Sequence, residues 1–371
     1  MTFAEEIKKY DWETIQNAVE EKTAADVERA LCKQNLTIDD FMSLVSPVAS
    51  AFLEKMAVAS RFYTRQRFGN TIQFYIPLYL TNSCVNQCVY CGFNCKNHFT
   101  RTILREEQIL QEIKAIKTLG NFQHILLVTG ENPRLAGADY IERAVRIAKE
   151  YFASISIEVQ PLSEAEYRQL SLAGVNAVYC YQETYREDHY QRYHPKGIKS
   201  NYRWRLESFD RMGKAGIHKI GLGFLTGLED WRTEAVCMML HLRYLQKQYW
   251  QTRYSISFPR MRPHAGESFQ PNVLMSDKEL AQLIFACRLF DHDIEMTLST
   301  REEQHFRDHI FPLGITSLSA GSKTDPGGYA VFKKETPQFS INDNRTPEEI
   351  LKVVKMKGYE VVWKDWDLCL Q

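Results

Sequence analysis

From residue 72 onward, short β-branched or aromatic runs alternate with stretches whose apolar positions recur every three or four residues. Candidate strands fall at 74–80, 124–128, 155–159, 177–181, 220–225, 254–258, 295–298 and 316–319. Between them lie amphipathic helical patterns. Ile109, Leu110, Ile113 and Ile116 precede Gly120, Tyr167 and Leu170 precede Gly174, and Leu206, Phe209 and Met212 precede Gly216. Glycine just past the last apolar position is a helix C-terminal signal. Strand–helix alternation predicts a parallel sheet with helical crossovers. Eight such units predict a closed (β/α)8 barrel of the TIM type, with an open doubly wound sheet as the alternative. Residues 1–70 read differently, as polar helices. Trp12, Ile15 and Val19 fall at helical spacing, and helical runs follow at 23–31 and 36–52, with Thr37 or Asp39 as caps. The expected organisation is a helical N-terminal extension at 1–70, an α/β barrel at 71–325 and a short C-terminal extension at 326–371.

In such barrels chemistry occurs at the C-terminal ends of the strands. The unusual residues of this chain collect there: Gly130-Glu131, Gln160-Pro161, Gln182-Glu183, Pro259-Arg260, Ser299 to Glu302, and Ser319 with Ser322. Polar endings on nearly every strand predict one shared pocket. The 46 basic and 46 acidic residues cancel, so no global charge points to nucleic acid or an anionic membrane. No stretch approaches the roughly 18 apolar residues of a membrane span. The composition predicts a cytoplasmic, reducing location.

The densest chemical signal follows the first strand. Cys84, Cys88 and Cys91 stand in the order C-x3-C-x2-C. Three thiolates with no obvious fourth suit a [4Fe–4S] cluster that keeps one iron open. A structural zinc site prefers four protein ligands. Cys95 offers a fourth thiol, so zinc stays open on spacing alone. No second C-x2-C follows, and His98 has no histidine partner near it. A disulfide framework does not suit nine cysteines in 371 residues. The remaining cysteines, including Cys369, read as buried small hydrophobes or free thiols.

With Tyr90 as the aromatic before the last cysteine, this motif resembles the signature of radical S-adenosylmethionine enzymes. Further blocks extend the resemblance along the chain: Gln66 to Asn70, Val128 to Glu131, Glu158 to Pro161, Tyr181 to Tyr185, Ser257 to Arg260, Leu298 to Arg301 and Val362 to Trp366. They resemble the 2-iminoacetate synthases, the tyrosine lyases of thiamine biosynthesis. The resemblance implies a cluster held by Cys84, Cys88 and Cys91, whose open iron binds S-adenosylmethionine. One-electron cleavage of that cofactor yields a radical that takes hydrogen from the amine of L-tyrosine. The Cα–Cβ bond then breaks, giving p-cresol and 2-iminoacetate.

The resemblance also assigns residues. Tyr90, Gly130, Glu131, Glu158 and Arg205 are expected at the cofactor, with Arg205 on its carboxylate and Arg203 as a neighbouring competitor. Arg301 and Ser319 are expected to grip the tyrosine carboxylate, with Tyr79 lining the pocket. An ion pair of Arg301 with Glu302 or Glu303 is the structural alternative. Gln182 and Glu183 would recognise the phenol or order the loop after the fourth strand, and Gly221 and Gly223 would let adenosine approach the barrel rim. Expected partners are thiazole synthase and a low-potential donor such as flavodoxin or ferredoxin. Sister families, tryptophan lyases and hydrogenase-maturation tyrosine lyases, are the alternatives. The latter carry a second cluster in a C-terminal domain with its own cysteines, and the last segment here offers only Cys369.

Overall fold

The computed structural model describes residues 2–264, 269–332 and 337–364, so Cys369 and Trp366 lie outside the described residues. All eight expected strands form: β1 (Thr71–Thr81), β2 (His124–Thr129), β3 (Ser154–Glu158), β4 (Val175–Tyr179), β5 (Lys219–Leu222), β6 (Arg253–Ser257), β7 (Glu295–Leu298) and β8 (Ser317–Ser319). Each pairs in parallel with the next, and β1 pairs with both β2 and β8, which closes the barrel. The open-sheet alternative is thereby excluded. A ninth strand, β9 (Glu360–Val362), was not anticipated. Gln73 of β1 lies opposite both Ser317 and Val362, so β9 takes the edge of β1 that β2 uses further along.

Strand periodicity sorts the side chains. On β1, Phe74, Ile76, Leu78 and Leu80 are fully buried in the main core, while Tyr75 and Tyr79 line the barrel interior. This is the period-two alternation of a pleated strand. The helices between strands end as predicted at Gly174 (φ +122°) and Gly216 (φ +75°), a backbone region glycine enters without penalty.

The N-terminal extension is helical as read. Thr37, not Asp39, caps Ile38–Val45, and its side chain accepts from the Asp40 N–H in a capping box. The helical run expected to reach residue 52 breaks at Pro47 into a 3-10 turn. A further helix, Leu53–Phe68, packs against Asp277–Phe290 and Gln304–Gly314. Among the described residues no single helix is long and apolar enough to cross a membrane.

Candidate active site

The loop after β1 is shaped by hydrogen bonds in place of regular structure. Arg101 donates to four of its carbonyls, those of Asn82, Phe93, Asn94 and Asn97, at 2.7–3.0 Å. Asn86 ties the loop to its neighbours, donating to Glu131 Oε2 at 2.8 Å and accepting from the Lys199 N–H at 2.9 Å. The glycine at 130 is dictated by crowding: a Cβ there would stand 2.3 Å from the Ser83 carbonyl oxygen. The β2 loop can therefore lie directly against the residue before Cys84.

Cys84, Cys88 and Cys91 line one cavity of about 560 Å3, together with Glu131, Glu158, Glu183, Lys199 and Arg205. Burial pushes the Cys84 thiol up to about 12 and raises Cys88 and Cys91 as well. Thiols in such a place ionise when a strongly positive metal centre takes their protons. Among the described residues no three ligand-type side chains converge on a single ion position. Zinc demands that convergence, whereas a cubane spreads its ligands over separate corners. Cys95 is exposed and does not line the cavity. Thr129, which does, has a buried hydroxyl with no partner. The donor set and this orphaned hydroxyl fit a cluster with a ligand beside it.

Four buried charges form the opposite wall. Arg205 pairs with Glu131 at 2.8 Å and approaches Glu183 at 3.7 Å, while Lys199 pairs with Glu183 at 2.6 Å. Arg205 also donates to the Tyr181 carbonyl at 2.6 Å. It is thus a buried residue of the cavity. Its expected competitor, Arg203, is exposed and pairs with Glu207. Burial opposes the charge of Glu131, but Arg205 and Lys199 outweigh it and hold the carboxyl below its ordinary range. Glu183 sits at φ +71°, a conformation uncommon outside glycine and concentrated at functional sites. It lines the cysteine cavity and not the neighbouring one.

A second cavity, of about 630 Å3, contains Tyr75, Tyr79, Arg301, Ser319, Ser322 and Phe339. Val128, Glu158 and Tyr181 line both cavities. Burial pushes Glu158 up to about 7, with Arg301 the strongest opposing influence. Glu302, the expected alternative partner of Arg301, is bound by Arg260 and Arg262. Arg301 instead lies 3.4 Å over the Phe339 ring and makes one long hydrogen bond, 3.4 Å, to the Arg260 carbonyl. Ser319 Oγ accepts from the Thr300 N–H at 3.0 Å. Tyr79 donates from its hydroxyl to Gln338 Oε1 at 2.8 Å. The Ser322 hydroxyl is buried and unpartnered.

At two expected positions the structure shows what the residue touches. The Tyr90 side chain does not line the cysteine cavity, which leaves the expected cofactor contact to its backbone. It packs beside Tyr193, Leu225 and Leu228, with its hydroxyl 2.6 Å from His194 Nε2. His194 Nδ1 faces the Tyr190 carbonyl at 3.0 Å. A carbonyl only accepts, so Nδ1 carries the hydrogen and Nε2 accepts from Tyr90. Gly221 and Gly223 serve their own neighbours: a Cβ at either would enter the ring of Tyr179 or Tyr181, at 2.1 and 2.7 Å. Sequence reasoning missed Asn86, Arg101, Thr129, Lys199, Gln338 and Phe339. Asn86 and Thr129 lay inside motifs already singled out; the others carry no local signal.

Known proteins resemble this chain throughout. The profile of the Radical SAM superfamily matches residues 78–240, and that of the Biotin and Thiamin Synthesis associated domain matches 257–360. The 2-iminoacetate synthase of Escherichia coli (strain K12) is 49% identical over 367 residues, covering 99% of this chain and 97% of that protein. Among solved structures, the [FeFe]-hydrogenase maturase HydG superposes with a TM-score of 0.89 at 30% identity, covering 96% of this chain and 80% of that one. Methylornithine synthase (PylB) shares the fold, with a TM-score of 0.73 at 20% identity over 91% of this chain and 97% of that one.

Proposed function

Because the chain belongs to the radical SAM superfamily, and within it to the 2-iminoacetate synthase family, we propose that it cleaves the Cα–Cβ bond of L-tyrosine to p-cresol and 2-iminoacetate, the imine that feeds thiazole formation in thiamine biosynthesis. The observation that carries this reading is the adjacency of two cavities. A three-cysteine cavity shares the wall residues Val128, Glu158 and Tyr181 with an aromatic-walled one containing Arg301. The [4Fe–4S] cluster and S-adenosylmethionine of this superfamily supply, when bound, the 5′-deoxyadenosyl radical that removes hydrogen from the substrate amine.

The remaining work is done by side chains. Cys84, Cys88 and Cys91 hold the cluster. Glu131 and Arg205 offer opposite charges to the ammonium and carboxylate of the cofactor. Arg301 presents a planar fork to the tyrosine carboxylate, a geometry suited to bidentate binding. Ser319 offers a hydroxyl beside it, and Tyr75 and Tyr79 wall the ring. Glu158 stands in the wall the cavities share and presents a carboxylate to an ammonium group. The buried walls exclude water, which an imine product requires.

The hydrogenase-maturation alternative rests on structural likeness at 30% identity. The 49% identity over nearly the whole chain favours the thiamine branch. Thiazole synthase as the consumer of the imine, flavodoxin or ferredoxin as electron source, and a cytoplasmic location belong to the same proposal. Anaerobic incubation of the iron- and sulfide-loaded protein with tyrosine, cofactor and a low-potential reductant is expected to release p-cresol and 5′-deoxyadenosine. Cyanide from tyrosine, or turnover of tryptophan alone, would move the chain to a sister family.

A further inference from the structure

One segment outside the barrel strands reaches both halves of the site. Its described parts, 322–332 and 337–345, cross the barrel mouth and are anchored on several sides. The buried Glu112 carboxylate accepts from the backbone N–H groups of Tyr329, Ala330 and Val331 at 2.6–2.9 Å. Gln338 N donates to the Thr324 carbonyl at 2.9 Å, and Asn342 N donates to the Thr300 carbonyl at 2.9 Å. The segment also meets the cysteine loop. Gly92, the residue after Cys91, donates its N–H to the Gln338 carbonyl at 3.1 Å. A Cβ on Gly92 would stand 2.7 Å from that carbonyl oxygen, so the glycine admits the segment.

The Gln338 side chain is oriented by its neighbours. Its Oε1 accepts from the Tyr79 hydroxyl at 2.8 Å, which turns Nε2 toward Cys91 Sγ at 4.0 Å, the long end of an N–H···S contact. The flipped amide would aim oxygen lone pairs at a ligand thiolate, an unfavourable arrangement. Gln338 therefore stands between a ligand sulfur and the wall of the substrate cavity.

We propose that Gln338 is a positioning residue for the cluster, its side-chain amide donating to the Cys91 sulfur while accepting from Tyr79, so that the C-terminal segment ties the cluster to the substrate pocket. The proposal rests on the cluster reading of the three cysteines, which iron and sulfide content test separately. A donor to a ligand sulfur stabilises the more negative, reduced cluster and raises its potential. Gln338→Met removes both interactions at nearly constant volume. Gln338→Glu keeps an acceptor for Tyr79, removes the donor and adds negative charge beside the sulfur.

The test is an anaerobic redox titration, followed by electron paramagnetic resonance, on wild type and both variants at matched iron and sulfide. At a fixed potential the reduced-to-oxidised ratio is expected to fall about three- to tenfold in both variants, tenfold being 59 mV for one electron. The Michaelis constant for tyrosine should rise severalfold in Gln338→Met and stay within twofold in Gln338→Glu. Potentials equal to wild type in both variants overturn the sulfur contact, and equal Michaelis constants in all three proteins overturn the link to Tyr79. Should neither variant hold a cluster, wild-type protein labelled with 15N at the glutamine side chains decides. Pulsed spectra of its reduced cluster are expected to show a weak 15N coupling, and its absence overturns the proposal. Wild type that takes up no iron and sulfide counts against the cluster reading itself.

Discussion

Arg301→Ala separates substrate binding from folding. In the structure the Arg301 guanidinium has little to hold: one 3.4 Å hydrogen bond to the Arg260 carbonyl and the face of Phe339. The buried Glu302 beside it is satisfied by Arg260 and Arg262. The main charge influence of Arg301 is on Glu158, whose carboxyl burial already pushes up to about 7 and which takes up a proton more readily without it, so the fold should lose about 1–2 kcal/mol, the scale of one ordinary hydrogen bond and one cation–π contact. A hydrogen bond to a charged group contributes about 1.5–3 kcal/mol. Loss of the fork that meets the substrate carboxylate should then raise the Michaelis constant for tyrosine roughly 10- to 150-fold, at about 1.4 kcal/mol per tenfold. Arg301→Lys keeps the charge without the fork and should fall between. The assay measures p-cresol and 5′-deoxyadenosine together across tyrosine concentrations, with thermal unfolding of each variant. Cofactor cleavage without tyrosine should stay within about twofold of wild type, because the predicted loss lies wholly in substrate binding. An unchanged Michaelis constant, or an equal loss of both products together with a lowered melting temperature, refutes the assignment.

Two further outcomes follow from the buried charges. Glu131→Gln and Arg205→Met should each cost about 3–5 kcal/mol of stability, because each leaves a buried charge without its partner. The double variant should cost clearly less than their sum; additive losses in urea denaturation would mean the 2.8 Å pair is not an energetic unit. Glu158 is raised from 4.5 to about 7. The folded state then binds its proton more tightly than the unfolded chain, so this stabilisation is complete below pH 4.5 and is lost as pH rises to about 7. With the side chain only partly buried, the loss is about 1–3 kcal/mol. Glu158→Gln in cluster-loaded protein without cofactor should flatten that slope, and an identical slope in both proteins would place the titration elsewhere.

The barrel was legible because its strands are short β-branched or aromatic runs and its helices stop at glycines such as Gly174 and Gly216. The cysteine loop was legible as a metal-binding segment from its spacing, and as a cluster loop only with the resemblance of the flanking blocks. The partners of those residues were not. Glu131 and Arg205 are 74 positions apart, and no local pattern records that they meet. Lys199 follows an undistinguished loop and meets the Glu183 carboxylate 16 positions back, within the same connection between β4 and β5. The β9 strand is three residues long and gains its place from the free lower edge of β1. It therefore shows no run of its own. Tyr90 matched a motif that fixes its place in the chain, but the direction of its ring is set by His194, far along the sequence.

The two cavities divide the chain in a way that bears on how substrates can change within such a fold. Apart from Gln338, every residue lining the cysteine cavity falls between Cys84 and Arg205, within the span of the superfamily profile. The second cavity draws part of its wall from Tyr75, Pro77, Tyr79 and Leu126 on β1 and β2 and the rest from Ser257 to Phe339, the latter within the span of the associated domain. Only Val128 on β2, Glu158 on β3 and Tyr181, two residues past the end of β4, serve both. Paired strands fix their register, so a residue on this seam cannot shift without disturbing its ladder. Val128, for one, is held between Tyr79 and Glu158 in the register of β1, β2 and β3. Under the proposed function, the distance between radical source and substrate would be set by the sheet, while the choice of substrate would rest largely on the loops of the second span. A change of substrate can then proceed at Ser299 to Arg301, Ser319 to Thr324 and Phe339 without moving a cluster ligand. Gln338 is the exception, a residue of the second span that touches the first, and changes there should be felt on both sides of the seam.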